Sequence, residues 1–371
     1  MMESVKTARL NLVTDLMKKH DLDAILVSNC SLGNLNAWLL STEGMPMHLP
    51  FNRNNLCLVD ADGNVTQLCA RTPHPCDWYQ FPLITETDLS DVIPNSRIGL
   101  VNPSYLKKVV RDDLVNKYNA EFVDISDEFH LLKMHKTPEE IEGIRHAARE
   151  FDRAFTTIPM ILTGEHTERE IASRIRNRFR ELGAECEDLQ TSTMLTMTSA
   201  PDGECSVPEP IQWPGRRVVY GDRINIKVNG FMPGGFASAL SRTFVIGEPS
   251  EETVRYWNLA VKAQNLIASN AKPGVKIAEL MELLRNEILT PNGLSESSEN
   301  QIYGIGTGIC EAPRNTDSTR VIPLISGMTI VIAPVIQPEG KDPYCAGDVF
   351  VVTEGGAQRL SSTSQDLYIM D

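Results

Sequence analysis

The sequence predicts an α/β protein of two domains, and three observations carry that expectation. At 371 residues the chain exceeds what one ordinary hydrophobic core organises. Its first third alternates short apolar runs with helical periods, the pattern of a small α/β layer structure. Past residue 131 the pattern changes to long amphipathic helices followed by strands punctuated by glycine and proline. The expected domains are residues 1–131 and 132–371.

Taken in order, "VKTARLNLVTDLMKKH" (5–20) carries apolar positions at helical spacing and ends in a basic turn. "DAILVSN" reads as a short buried strand. "NNLCLVDADGNVTQLCA" reads as a hairpin, with Asp-Gly marking the turn. "SRIGLVNP" and "AEFVDIS" are further strands, separated by the helical "YLKKVVRDDLVNKY". Thr137-Pro138-Glu139-Glu140 is a helix start: a capping threonine, a proline in the first turn, then acids that complement the helix dipole. "TEREIASRIRNRFRELG", "EETVRYWNLAVKAQNLIASN" and "IAELMELLRNEIL" are the later helices.

A net charge of −14 excludes nucleic acid and anionic membrane as main partners, because both demand clustered Lys and Arg. No stretch approaches the roughly 20 apolar residues of a membrane span, and the N-terminus lacks the apolar run of a signal peptide. The eight cysteines are scattered without a C-x-x-C pair, which suits free thiols in a cytoplasmic protein.

Four segments, in order, resemble the pita-bread fold of methionine aminopeptidase, prolidase, aminopeptidase P and creatinase. They are "GDRINIKVNGFMPGGFASALSRTFVIGEPSEE" (221–252), "KPGVKIAELMELLRNE" (272–287), "YGIGTGICEAP" (303–313) and "SGMTIVIAPVIQPEGKDPYCAGDVFVVTEGG" (326–356). The two-domain layout is similar to the prolidase/creatinase branch, which implies a creatinase-like α/β domain followed by a pita-bread domain. In the metallopeptidases of this family two Asp, one His and two Glu hold two metal ions that activate a water. The resemblance implies that those positions here are Lys227, Ala239, Tyr303, Ala333 and Gly347. All seven histidines lie at or before His166, so the last part of the chain offers no substitute imidazole. On this reading no metal and no other cofactor is expected.

Creatinase is the metal-free relative, and "ALSRTF", "PVIQPEG" and "PFNRNN" are similar to its loops. The resemblance implies a homodimer in which Phe51 and Arg53 close the partner's site, the arginine gripping a carboxylate. Creatinase's own histidine and glutamates are also replaced, in the stretch Cys205 to Pro210 and at Ser241 and Ala333. The expected function is a metal-independent, creatinase-like hydrolase or lyase acting on a small carboxylated nitrogen compound. The alternative is an inactive pita-bread protein that binds a ligand or peptide, or pairs with an active paralogue. An Xaa-Pro metallopeptidase comes last.

The candidate site comprises Lys227, Tyr303 and Cys310 for catalysis, with Phe51, Arg53, Ser238, Ser241, Arg242, Glu311 and Asp348 around the substrate. Each has a plainer reading. Lys227 stands in an alternating strand and could face solvent, Tyr303 could be a packed tyrosine, and Cys310 an inert thiol that lacks a basic partner. Arg242 and Glu311 could serve the architecture alone. "GIGTG" lacks the helix and acidic residue of a dinucleotide loop and is set aside.

Overall fold

A computed structural model describes residues 2–28, 38, 56–69, 83–85, 97–105, 112, 120–162, 166–184, 195–204, 206, 215–232, 235–298 and 300–370. The chain divides into two compact units, residues 1–140 with 188–191, and residues 141–187 with 192–371.

In the first unit, helix α1 (Met2–His20) leads into strand β1 (Ala24–Ser28), which is buried along its whole length. Strands β2 (Leu56–Asp60), β3 (Val65–Cys69), β4 (Leu83–Thr85), β5 (Arg97–Val101) and β6 (Glu121–Asp124) complete a sheet ordered β4-β3-β2-β1-β5-β6. The continuous apolar run of β1 follows from its place inside this mixed sheet, antiparallel to β2 and parallel to β5. The β2–β3 turn forms where Asp-Gly foretells it: Gly63 has φ of 81°, and the Asp60 carboxylate accepts the Asn64 amide at 2.8 Å. Helix α2 (Ser126–Leu132) adds Phe129, which meets Trp38 edge-to-face with centroids 5.7 Å apart.

Helix α3 (Pro138–Phe155) starts as its sequence requires. Thr137 Oγ1 accepts the Glu140 amide at 3.2 Å, and the Glu140 carboxylate accepts the Thr137 amide at 2.8 Å. Glu140 also pairs with buried Arg9 at 2.6 Å, and Arg9 donates to the Trp38 carbonyl at 2.5 Å. That ion pair ties the first turn of α3 to α1, and Glu140 is the last residue of the first unit's main segment.

The second unit continues through α3, α4 (Ile158–Ile161) and α5 (Glu168–Glu181), the last closed by a Thr167–Glu170 capping box. Strands β7 (Leu195–Pro201), β8 (Asp222–Met232) and β9 (Phe236–Ile246) pair with the terminal strand β17 (Tyr368–Met370) in the order β17-β9-β8-β7. Phe151, Phe155, Ile175 and Phe179 from the helices pack on Ile224, Ile226 and Phe244 of this sheet. After α6 (Glu251–Asn270) and α7 (Ile277–Leu284) comes a π-helical turn, Arg285–Leu289, where the sequence predicts an unbroken helix.

A second sheet follows, made of β10 (Gln301–Gly304), β11 (Glu311–Arg314), β12 (Thr329–Ala333), β15 (Asp348–Thr353) and β16 (Gly356–Arg359), in the order β11-β10-β12-β15-β16. Strands β13 (Val335–Ile336) and β14 (Tyr344–Cys345) form a short ladder of their own. Among the described residues no helix is long and apolar enough to cross a membrane.

Candidate functional site

Strand β8 alternates: Ile224, Ile226 and Val228 enter the helix-packed core, so Asn225, Lys227 and Asn229 belong to the other face. Strand β9 pairs with it antiparallel, setting Lys227 opposite Ser241, Asn229 opposite Ala239 and Gly230 opposite Ser238. Strand β9 is buried on both faces, because the second sheet covers the face that Ala239 occupies. An isolated bridge joins the layers: the Ser241 amide donates to the Gly347 carbonyl at 3.0 Å, and the Gly347 amide returns a bond at 3.2 Å.

On β10, Gln301 and Tyr303 point the same way by the two-residue period of a strand, with Gln301 opposite Ala333 and Tyr303 opposite Val331 on β12. Lys227 Nζ crosses from its own sheet and donates to Gln301 Oε1. Tyr303 is buried in one cluster with Ala239, Ala333, Val331 and Val349, against which Cys310 and Cys345 pack. A Cβ placed on Gly347 would stand 3.0 Å from the Ala333 and Ser241 Cβ atoms. The positions Lys227, Ala239, Tyr303, Ala333 and Gly347 therefore meet in one place, at the face between two sheets.

The glycine rhythm of "YGIGTGICEAP" has a steric cause at Gly304, where a Cβ would lie 2.3 Å from the Ala312 carbonyl oxygen. Cys310 turns the loop with φ of +60°, a region that residues with a side chain enter uncommonly. Glu311 follows it, buried at the start of β11 opposite Gly304.

The electrostatics of this centre are dominated by burial. Burial raises the Tyr303 hydroxyl well above its ordinary value, and the neighbouring Cys310 and Cys345 add to the rise. Both thiols are pushed up by burial as well, although Lys227 draws each of them down in part. Arg314, which donates to the Cys310 carbonyl at 3.3 Å, helps Lys227 in that. At neutral pH the phenol and both thiols are protonated, so Cys310 is not a thiolate nucleophile and Tyr303 is not a base. What the cluster offers a ligand is the Lys227 ammonium and neutral donors.

Arg242 and Asp348, expected to contact a substrate, are engaged elsewhere. Arg242 Nη2 binds Asp348 Oδ1 at 2.8 Å, with both side chains fully buried. The remaining guanidinium hydrogens go to the carbonyls of Ser241, Gly347, Thr363 and Ser364. Gln264 Nε2 reaches the other Asp348 oxygen at 2.9 Å. These groups fix the floor of the site and have no hydrogen to spare for a ligand. Ser238 and Ser241 are buried in β9, and Phe51 and Arg53 lie outside the described residues, as does the dimer arrangement built on them.

Two groups at the centre escaped the sequence reading. Gln301 stands two residues before Tyr303, and strand period alone puts both on one face. Cys345 stands two before Gly347 and makes a side-chain hydrogen bond with Ser241. Neither carries a motif.

The chain belongs to metallopeptidase family M24, which residues 142–358 match, and it has the pita-bread fold of that superfamily. Among curated proteins it is 30% identical to the Xaa-Pro dipeptidase of Pyrococcus furiosus over 249 residues, 67% of this chain and 68% of that protein. It is likewise 30% identical to the Xaa-Pro dipeptidase of Lactobacillus helveticus over 256 residues, 68% of this chain and 67% of that one. The fold matches the crystal structure of a dipeptidase from Pyrococcus horikoshii with a TM-score of 0.79 at 22% identity, covering 98% of this chain and 100% of the other.

These relatives correct the functional expectation. A creatinase-like hydrolase or lyase, with a binding-only protein as its alternative, gives way to the peptidase branch that the sequence reading placed last. The similarity of "ALSRTF" and "PVIQPEG" to creatinase loops covers a handful of residues, whereas the identity to Xaa-Pro dipeptidases runs through two thirds of the chain.

The family implies two divalent cations, and the groups at the five positions can be tested against them. Hard cations need carboxylate oxygens and imidazole nitrogen. Here Ala239, Ala333 and Gly347 carry no donor, Tyr303 is a neutral phenol, and Lys227 places a positive charge at the spot. Among the described residues no three His, Cys, Asp or Glu side chains are grouped to hold a metal ion. The side chains do not fit two divalent cations, and no step is derived through them.

Proposed function

We propose that this chain works on short peptides of the Xaa-Pro type, within the hydrolase class of its family, at the centre formed by Lys227, Gln301, Tyr303, Cys310 and Cys345. The observation that supports the reading is the 30% identity to two Xaa-Pro dipeptidases over about two thirds of the chain. The layout of the centre is in keeping with it. Lys227, half-buried with a neutral amide as its partner, suits a polar end of a dipeptide.

The chain's own groups have limited roles. Lys227 can polarise a carbonyl or hold an anion through its ammonium hydrogens. Tyr303 and the two thiols, kept protonated, can donate but not attack. The Arg242–Asp348–Gln264 assembly holds β9 and β15 so that these groups converge.

The reading is tested by calorimetric titration with Gly-Pro, Ala-Pro, Gly-Ala and Pro-Gly, alongside an assay for released proline. Saturable binding or turnover that favours Xaa-Pro over Gly-Ala and Pro-Gly is expected. Equal indifference to all four dipeptides would overturn it.

A further inference from the structure

We propose that Lys227 is a carboxylate-binding residue, receiving the free carboxylate of the ligand at the position where the family places cations. The inference rests on the peptide reading above for the identity of the ligand, but not for the charge it carries. Four observations combine.

The register of β8 and β9 puts Lys227 on the face covered by the second sheet, opposite Ser241, and the side chain is half-buried there. The recorded partner of its Nζ is a neutral amide oxygen, that of Gln301, and among the described residues no carboxylate pairs with it. Of the two carboxylates that the sequence placed near the site, Asp348 is fully engaged by Arg242 and Gln264, and Glu311 is buried at the start of β11. Finally, the residues at the five positions other than Lys227 carry no charge: Ala239, Ala333 and Gly347 are small, and Tyr303 is a protonated phenol.

A partly desolvated ammonium with one neutral acceptor retains two hydrogens to give. A carboxylate is the chemical complement, since a bond between ionised partners is about twice as strong as a neutral one. Cys310 is protonated and close enough for Lys227 to act on it, and Tyr303 neighbours Cys310, so the thiol can donate to a second carboxylate oxygen. The carboxylate can come from the C-terminus of a dipeptide or from a free small acid, and the test separates the two.

Gly-Pro, Gly-Pro-amide, free proline and acetate are titrated against wild type, Lys227→Met and Lys227→Arg, with thermal unfolding as the check on folding. The expected result is that Lys227→Met weakens Gly-Pro by about 10- to 100-fold, the range for loss of one bond to a charged group. Gly-Pro-amide should already bind wild type that much more weakly and be indifferent to Lys227→Met, while Lys227→Arg retains most of the Gly-Pro affinity. Equal binding of Gly-Pro to wild type and Lys227→Met overturns the proposal, as does equal binding of peptide and amide to wild type. If Lys227→Met does not fold, the peptide-versus-amide comparison on wild type decides alone. Lys227-dependent binding of proline or acetate without any binding of Gly-Pro upholds the carboxylate site and removes the peptide reading. Failure of every carboxylate to bind overturns the carboxylate site.

Discussion

Two neighbouring regions of the second unit treat buried polarity in opposite ways. Around Arg242, each guanidinium hydrogen has an acceptor and both Asp348 oxygens have donors, with the two charged side chains fully buried. One residue away in sequence on each strand, at Ser241 and Gly347, the centre begins. Its small residues are alanine and glycine, and among the described residues Lys227 is met by a neutral amide. A saturated network can hold strands together but has nothing left for a ligand, whereas a half-met cation among small walls can still take a partner. The scaffold and the site are thus distinguished by hydrogen-bond completeness rather than by residue type.

Breaking the saturated side should cost most. Arg242→Met leaves the buried Asp348 carboxylate without its counter-charge, and stability should fall by about 3–5 kcal/mol in urea unfolding. The double variant Arg242→Met with Asp348→Leu should recover a large part of that. A loss below about 1 kcal/mol for the single variant would mean that the pair is not the staple described.

Crowding the small-walled side should cost less. In Gly347→Ala the new methyl meets Ala333 and Ser241 at 3.0 Å, and about 1–3 kcal/mol of overpacking is expected. Adding Ala333→Gly should relieve it. If Gly347→Ala is neutral by itself, the two sheets are less closely apposed there than described.

Raising the pH probes the neutral donors. Cys345 is raised by burial, as are Cys310 and Tyr303. Above the ordinary thiol value the unfolded chain loses these protons while the folded chain keeps them. Stability is therefore full below about pH 8.5 and declines as pH climbs from there through the raised folded values. Cys345→Ala should flatten that decline, measured as melting temperature from pH 7 to 11. A wild-type melting temperature that is level across the range would contradict protonated, buried thiols.

Least of all should depend on Lys227 itself. Lys227→Met gives up one contact of a half-buried side chain, so the change in stability should stay within about 1 kcal/mol. A much larger loss would place Lys227 with Arg242 among the staples.

Legibility from sequence followed locality. Helix α1, the hairpin turn at Asp60–Gly63 and the Thr137–Glu140 cap rest on residues within a few positions of one another, and all three form as read. The pita-bread segments were recognisable because their glycines answer to steric needs such as the approach of Gly304 to Ala312. By contrast, the Arg9–Glu140 pair spans 131 residues, and Arg242–Asp348 spans 106. No periodicity or motif encodes such partners. Lys227, Tyr303 and Cys310 were readable as positions, but that the thiol and phenol stay protonated depends on walls contributed by β9, β12 and β15. The functional class went astray for a related reason: a few loop residues outweighed an identity spread over two thirds of the chain.

A crystal structure of the protein with Gly-Pro bound tests the account most directly. The account predicts the dipeptide between the β8–β9 and β10–β12 strands, its carboxylate on Lys227 Nζ within hydrogen-bond distance, with Tyr303 or Cys310 donating to it. Gly-Pro seated away from Lys227, or its carboxylate turned to solvent while Lys227 stays on Gln301, would contradict it.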